Sequence, residues 1–225
     1  MTYFGPETFD FLDELEENNE RAWFDANKKR YEQHVRDAAF DFIADFSKPL
    51  HRISREFSAI PKAVGGSLFR IYRDVRFSKD KRPYKTHVGI HFRHRMHKDA
   101  HAPGFYLHLE PGNSFAGIGI WRPDPPNALK IRQAIAAPRS TWGRAVGGAF
   151  GEQFELSGES LKRPPRGFDA EHRWIDDLKR KSFIGVHNLD DEGVLGDELL
   201  DEYVDLAKAG APLVRFLCRA LELPY

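Results

Sequence analysis

The sequence predicts an α+β fold in which an antiparallel β-meander of about four strands, residues 67–121, is flanked by N-terminal and C-terminal helices. Two patterns carry this prediction. Apolar residues recur at roughly helical spacing in the first 50 residues and near the C-terminus, whereas they alternate with polar residues between 67 and 121. The 225 residues include 41% hydrophobic residues and 18 Phe, which is enough to build one core, so we expect a single domain over 1–225.

The N-terminal third is predicted to be helical. Phe9, Leu12 and Leu15 lie on one side of a first helix. A second, longer helix carries apolar residues at helical spacing over residues 23–46, and we expect Pro49 to end or kink it. Both helices are interpreted as core packing, with no site in them.

Four short runs have the alternation of β-strands. They cover residues 69–77, 87–93, 105–110 and 114–121, and the turn "EPGN" joins the last two. Short or moderate connections between consecutive strands favour an antiparallel meander. We expect six apolar side chains of these strands to face the helices: Phe69, Ile71, Ile90, Phe92, Leu107 and Leu109.

Helices are predicted to follow the sheet. Asp124 can cap a helix whose first turn contains Pro125. The segment "SFIGVHNL" is a short strand or an extended segment. The C-terminal region has the pattern of a helical hairpin broken at Gly210 and Pro212.

The face of the sheet opposite the core is predicted to be polar, with a floor of glycine. If Pro111 and Gly112 form the turn, Tyr106 lies opposite Gly117, and alternation then assigns the whole face. Its members are Arg70, Tyr72, Asp74, Arg76, His87, Gly89, His91, Arg93, Tyr106, His108, Glu110, Phe115, Gly117, Gly119 and Trp121. Three glycines in strands leave room for something to approach the backbone, so the face can form a shallow cleft for an anion or a ring. Alternatively, a helix covers the glycines and the polar side chains are simply solvated.

Arg73 breaks the alternation, because it falls on the core side between Ile71 and Val75. Either a bulge turns its side chain outward, or Arg73 is buried and paired with an acid. An acid from the N-terminal or C-terminal helices is the expected partner.

The chain has no net charge, but its charges are unevenly distributed. Residues 1–60 carry 13 acidic and 8 basic side chains, and residues 185–225 carry 9 and 3. Residues 67–101 carry 3 acidic and 10 basic side chains, and we call this segment the basic island. A basic island binds an anion or the protein's own acidic parts.

A small phosphorylated or carboxylated molecule is the predicted ligand of the basic island. The loop "SKDKRPYK", residues 78–85, connects the first two predicted strands and can close over such a ligand. Arginine gives bidentate recognition of a phosphate or carboxylate, lysine adds point charge, and aromatic side chains give edges for stacking. The predicted ligand-binding residues are Arg70, Tyr72, Arg76, Lys79, Lys81, Arg82, Tyr84, Lys85 and Trp121.

Three other functions stay open. The first is an enzyme, in which Asp74, His91, His108 or Glu110 serves as acid or base beside the cations. The second is a nucleic-acid binder, which the acidic ends of the chain disfavour. The third is a structural or partner-binding module in which the basic island meets the protein's own acidic helices. The sequence does not choose among them, and it gives no oligomeric state.

We predict neither a cofactor nor a metal site. Two histidines and a carboxylate can bind zinc or iron, and His87, His91, His94, His97, His101, His108 and Glu110 are clustered in sequence. Their spacing matches no compact metal motif, however, and the neighbouring arginines oppose a cation.

A cytoplasmic location without a membrane partner is expected. Cys218 is the only cysteine and lies in an apolar run, so no internal disulfide can form and a reducing compartment fits. The N-terminus is acidic and lacks the layout of a signal peptide, and no apolar run reaches the length of a membrane helix.

Long segments of the chain resemble a known family. "NNERAWFDANKKRYE", "FRIYRDVRFSKDKRPYKTHVGIHF", "FYLHLEPG", "GIGIWRPDPPNALKIRQAI" and "KSFIGVHNL" occur in this order and resemble the bacterial and fungal family named domain of unknown function 2461. The similarity covers nearly the whole chain. It implies a single-domain cytoplasmic protein and draws attention to residues 70–85, but it carries no established activity and no catalytic role.

Overall fold

A computed structural model describes residues 1–96 and 102–225, and it confirms the α+β fold. The helices are α1 (Pro6–Glu17), α2 (Arg21–Tyr31), α3 (Ala38–Ile53), α4 (Pro125–Ala136), α5 (Trp142–Ala145), α6 (Ala149–Gln153), α7 (Ile175–Leu178), α8 (Asp191–Leu195) and α9 (Leu199–Ala220). A π-helical segment, Glu32–Asp37, connects α2 to α3. The strands are β1 (Val88–Arg93), β2 (Gly104–Leu109), β3 (Ser114–Ile120), β4 (Glu155–Ser157) and β5 (Phe183–Leu189).

The five strands form one antiparallel sheet in the order β1-β2-β3-β5-β4. Strands β1 to β3 are the predicted meander, and the segment "SFIGVHNL" is a full strand that pairs with β3 along its length. Both edges of the β1–β2–β3 unit differ from the prediction, because β5 pairs with β3 on one side and residues 69–77 form no regular strand on the other.

The first predicted strand is wrong in part. Residues 69–77 form no regular strand, and the region makes isolated bridges from Leu68 to Ile90 and from Tyr72 to Tyr84. Without a continuous ladder nothing imposes alternation over this segment. Ile71 is buried as expected, but Phe77 is 95% exposed.

The helices pack on the inner face of the sheet. Helix α9 contacts β3 and α3. At Gly210 a Cβ atom would lie 2.3 Å from Cδ1 of Ile118, so glycine lets α9 approach β3 closely. The predicted C-terminal hairpin is wrong, because α9 continues through Gly210 and Pro212 as one helix of 22 residues.

The termini of other helices follow local chemistry. The Asp124 side chain accepts a hydrogen bond of 2.9 Å from the backbone N–H of Asn127, which confirms the predicted cap of α4. Helix α3 continues past Pro49 to Ile53, so the proline does not end it. Within the described residues, the structure contains no helix that is long and apolar enough to span a membrane.

Candidate functional site

The register of the sheet confirms the predicted faces of β1, β2 and β3. Tyr106 lies opposite Gly117, as the turn at Pro111 and Gly112 predicts, and His91 lies opposite Tyr106. On the inner face every apolar side chain of these strands is at most 3% exposed: Val88, Ile90, Phe92, Phe105, Leu107, Leu109, Ala116, Ile118 and Ile120. The outer face consequently holds the polar and glycine positions.

A cleft of about 520 Å³ lies on this outer face. Its lining residues are Phe69, His91, Ala102, Gly104, Tyr106, Asn113, Phe115, Gly117, Ile118, Gly119, Trp121, Ser157, Ile184, Val186 and Asn188. The walls are mainly aromatic, and the floor is the backbone of β2 and β3. The volume lies within the range of small-molecule pockets, roughly 300–1,000 Å³.

The glycines of the outer face have different roles. At Gly117 a Cβ atom would meet Tyr106 and Phe115 at 3.5–3.6 Å, which is ordinary contact, so this position keeps the floor low without backbone strain. Gly119 has a φ of 128°, and a Cβ there would lie 2.1 Å from the carbonyl oxygen of Phe183. Gly89 is not open floor, because Phe69 and the Tyr106 hydroxyl cover it.

Phe69 forms one wall of the cleft, which corrects its predicted position against the helices. Its ring centroid lies 6.0 Å from that of His91 and 6.1 Å from that of Tyr106, both on the outer face. The backbone N–H of Phe69 donates to the Gly89 carbonyl, and this bond holds the ring over the sheet edge. Leu68, one residue earlier, is the side chain that is buried.

Two cations lie beside this aromatic wall. Nζ of Lys85 lies 5.8 Å from the centroid of the Phe69 ring and donates to the carbonyl of Arg70. Lys85 is half-buried, and its burial, together with the nearby Arg70 guanidinium, lowers the pKa of the ammonium group. The Arg70 side chain is exposed.

Four other cations of the basic island contact the loop that carries them. Asp80 accepts from Arg73 at 2.7 Å and from Arg82 at 3.0 Å, and Asp74 accepts from Arg76 at 2.7 Å. The Lys81 ammonium donates to the Val75 carbonyl at 2.9 Å. These contacts stabilise the loop conformation, and none of the four cations is among the residues that line the cleft.

Arg73 has a different partner from the predicted one. It is 26% exposed and pairs with Asp80 inside the loop, so no acid from the terminal helices is involved. The hairpin-like path of the loop brings the two side chains together, since the Arg73 N–H donates to the Pro83 carbonyl.

The three aromatic residues that were predicted to bind a ligand lie in three different environments. Tyr84 is buried and stacks on Phe24 of α2 at 4.2 Å, which makes it part of the core. Tyr72 is 52% exposed and lies beside Tyr84. Trp121 lines the cleft and is 48% exposed. Lys79 is exposed on the loop.

A hydrogen-bonded chain of side chains borders the cleft near the β2–β3 turn. The Tyr106 hydroxyl contacts Nδ1 of His108 at 3.0 Å, and Nε2 of His108 contacts Glu110 at 3.3 Å. Asn113 donates to Glu110 from across the turn. The His87 ring lies 4.4 Å from the His108 ring, and Phe115 stacks on the other side of His108 at 4.6 Å.

Burial sets the protonation of this chain. Burial, followed by the neighbouring His108, lowers the pKa of His87 to about 4, and burial also lowers the pKa of His108. Burial opposes ionisation of Glu110, but hydrogen bonds from Asn113 and His108 outweigh it and lower the pKa of this carboxyl. Burial raises the pKa of the Tyr106 hydroxyl. At neutral pH the imidazoles of His87 and His108 are therefore neutral, and the Glu110 carboxyl is ionised.

The fold places the four residues predicted as acid or base at three locations. His91 lines the cleft, while His108 and Glu110 belong to the hydrogen-bonded chain. Asp74 lies in the loop, where the Arg76 side chain lowers its pKa to about 2. His97 and His101 fall outside the described residues.

Residues from β5 were missed by the sequence reasoning. Ile184, Val186 and Asn188 complete one wall of the cleft because β5 pairs with β3. Their alternation with Phe183, Gly185 and His187 is visible in the sequence, but the partner strand of β5 is not, so its outer face could not be joined to the site.

A second concavity of about 600 Å³ lies at the C-terminal end of α9. It is lined by Ile53, Ser54, Arg55, Glu56, Arg215, Arg219, Leu223 and Tyr225. The Cζ atom of Arg215 lies 4.8 Å from the centroid of the Tyr225 ring. The three arginines of this concavity, Arg55, Arg215 and Arg219, are exposed. Three arginines and the carboxylate of Glu56 thus line this concavity.

Comparison with known proteins gives one result. A family profile described as "Conserved hypothetical protein (DUF2461)" matches residues 7–216. No curated protein matches the chain.

Proposed function

The chain belongs to this family of conserved hypothetical proteins, and we propose that it binds a small molecule, with a flat apolar part and a phosphate or carboxylate group, in the cleft on the outer face of the sheet. The observation that carries the proposal is the glycine-floored cleft walled by Phe69, Tyr106, Phe115 and Trp121.

The shape and lining of the cleft favour a ring. Aromatic side chains give stacking and edge contacts to planar groups, and such pairs add roughly 0.5–1.5 kcal/mol beyond the area that they bury. The ordinary contact distances around Gly117 indicate that a ring can approach the β3 backbone there. Asn113 and Asn188 supply amide groups at one end of the cleft, where they can orient the ligand.

The charge beside the cleft favours an acidic substituent. Lys85 lies over Phe69, so its ammonium is held next to the aromatic wall, and Arg70 is exposed beside it. Half-burial makes an ion pair with Lys85 less screened by water than a pair at the loop tip. Arg76 and Arg82 are paired with loop carboxylates, and Lys81 is exposed on the loop, so we assign the anion to the half-buried Lys85 and to Arg70.

A cytoplasmic location is part of the proposal. The single cysteine, Cys218, is buried, and burial raises the pKa of its thiol to about 12, so it behaves as an apolar core residue. A chain without a structural disulfide is typical of a reducing compartment.

A thermal-shift screen tests the proposed function. The purified protein is heated with nucleotides, sugar phosphates, aromatic carboxylates and inorganic phosphate at millimolar concentration, because a ligand that binds only the native state raises the melting temperature. We expect a ring-bearing anion to give a larger shift than inorganic phosphate, and we expect Lys85→Ala to reduce that shift. Lys81→Ala is the matched control, since Lys81 donates to the Val75 carbonyl.

Two outcomes contradict the proposal. One is the absence of a shift with every compound, and the other is an equal loss of binding in Lys85→Ala and Lys81→Ala. An oligonucleotide arm separates the nucleic-acid alternative, because phosphate-backbone binding falls steeply with salt and a pocket for one small anion does not.

A further inference from the structure

Three side chains of types that can bind metal ions lie together near the end of the cleft. His87, His108 and Glu110 each offer one ligand atom, and these atoms all lie within 4.8 Å of one another. His87 precedes β1, His108 is in β2, and Glu110 begins the turn after β2, so paired strands place all three. The sequence separates His87 from the other two by about twenty positions, which is why no compact motif is visible.

The ligand atoms of His108 and Glu110 are already spaced as two ligands of one metal ion would be. Nε2 of His108 and the nearest oxygen of Glu110 are 3.3 Å apart. Two ligands of a tetrahedral zinc ion with bonds of about 2.0–2.1 Å lie about 3.4 Å apart. The ligand atom of His87 lies within 4.8 Å of the other two, so it has to approach by up to about 1.4 Å, which rotation of this half-buried side chain can provide.

Two cations near the group have partners of their own. Neighbouring arginines disfavour a cation, but Arg73 is paired with Asp80. The Lys85 ammonium, two residues before His87, donates to the Arg70 carbonyl.

Neighbouring side chains are placed to orient the ligands. Asn113 donates to Glu110, and the Tyr106 oxygen can accept from Nδ1–H of His108 when Nε2 is the ligand atom. Such partners fix the tautomer and the ring orientation of a metal ligand. Three protein ligands leave a further position for water or a ligand, as in catalytic zinc sites.

We propose that His87, His108 and Glu110 bind one divalent first-row transition-metal ion, with Zn²⁺ as the probe of choice, at the end of the cleft. Imidazole and carboxylate ligands suit zinc and its neighbours rather than calcium or magnesium. The site is independent of the ring-binding proposal, because no cleft ligand is needed to form it.

The test is metal binding by the full chain after removal of metals with a chelator. Zn²⁺ is titrated in competition with a chromophoric chelator, and Co²⁺ is titrated while its visible absorption is recorded. We expect one equivalent of ion at micromolar or lower concentration. Affinity should fall at least about 10-fold in His87→Ala and in Glu110→Gln, and about 10-fold in Asn113→Ala. The control is His51→Ala, which removes an exposed histidine of α3.

The outcomes are decisive in either direction. Loss of binding in His87→Ala and Glu110→Gln, with melting temperatures near that of the wild type and binding kept in His51→Ala, supports the site. If one variant does not fold, the other decides, since both positions are partly exposed and rest on different segments. Absence of binding in the wild type up to 100 μM (about −5.5 kcal/mol), or undiminished binding in both variants, overturns the proposal.

Discussion

At the scale of single residues, two glycines of β3 show how the cleft floor is made. At Gly117 a Cβ would fit, because it would touch its neighbours at ordinary distance, so glycine there only leaves more space above the floor. Gly119 is glycine for backbone conformation, since its φ is 128° and a Cβ would collide with the Phe183 carbonyl. The two substitutions to alanine should therefore have different costs.

We expect Gly119→Ala to lower the free energy of unfolding by about 1–3 kcal/mol, because a non-glycine residue is strained at this φ. Gly117→Ala should change it by less than about 1 kcal/mol, because its conformation suits alanine. Urea denaturation of both variants gives the comparison. Equal losses would show that the floor at Gly117 is as tightly constrained as that at Gly119.

Residue faces could be predicted only where a regular ladder exists. In β1 to β3 the period of two fixes each side chain, so Ile90, Leu107 and Tyr106 lie on their predicted faces. Phe69 lies on the opposite face because its segment pairs only through isolated bridges. The partner of Arg73 could not be predicted, because it depends on the path of the loop that brings Asp80 beside it.

At the scale of elements, residues 70–85 form a loop that is held by its own ion pairs. Asp80 anchors Arg73 and Arg82, while Asp74 anchors Arg76. Asn19 fastens the base of the loop, since its side chain donates to the carbonyl of Tyr84 and accepts from the Tyr84 N–H. The loop is thus fixed at its base by buried contacts and at its tip by exposed charge pairs.

We expect Asp80→Asn to speed amide hydrogen exchange in the loop several-fold while leaving β1 to β3 protected, because two arginines lose their shared carboxylate. Asp74→Asn is the matched control, because it releases Arg76 alone and should give the smaller change. Mass spectrometry of peptic fragments measures both. If protection of the loop is unchanged in Asp80→Asn, the ion pairs do not hold it.

The ion pairs of Asp80 make the protection of the loop depend on pH. Hydrogen bonds from Arg82, and then from Arg73, lower the pKa of Asp80 in the folded protein. A lowered pKa means that the stabilisation is complete above the ordinary aspartate value of about 4 and is lost as the pH falls below it. The difference in loop protection between wild type and Asp80→Asn should therefore become smaller in acid. A larger difference in acid would contradict the assignment.

At the scale of the whole molecule, most cations of the basic island have partners away from the cleft. Among the described residues, Arg73, Arg76 and Arg82 pair within the loop, and Arg95 pairs with Glu56 next to α3. Lys85 lies beside Phe69 with Arg70 near it, and Arg122, which is paired with Glu159, lies over Trp121. The sequence predicted the α+β class, the register at the β2–β3 turn and the low floor. It could not place β5, whose contribution depends on pairing across more than sixty residues.

The most direct test of the proposed cleft is a crystal structure of the protein with the ring-bearing anion that gives the largest thermal shift. We predict density for the ring over Gly117, between Phe69 and Trp121, with the acidic group about 2.7–3.2 Å from Lys85 or Arg70. Density at the arginines near the end of α9, Arg215 and Arg219, with solvent alone in the cleft, would contradict the account.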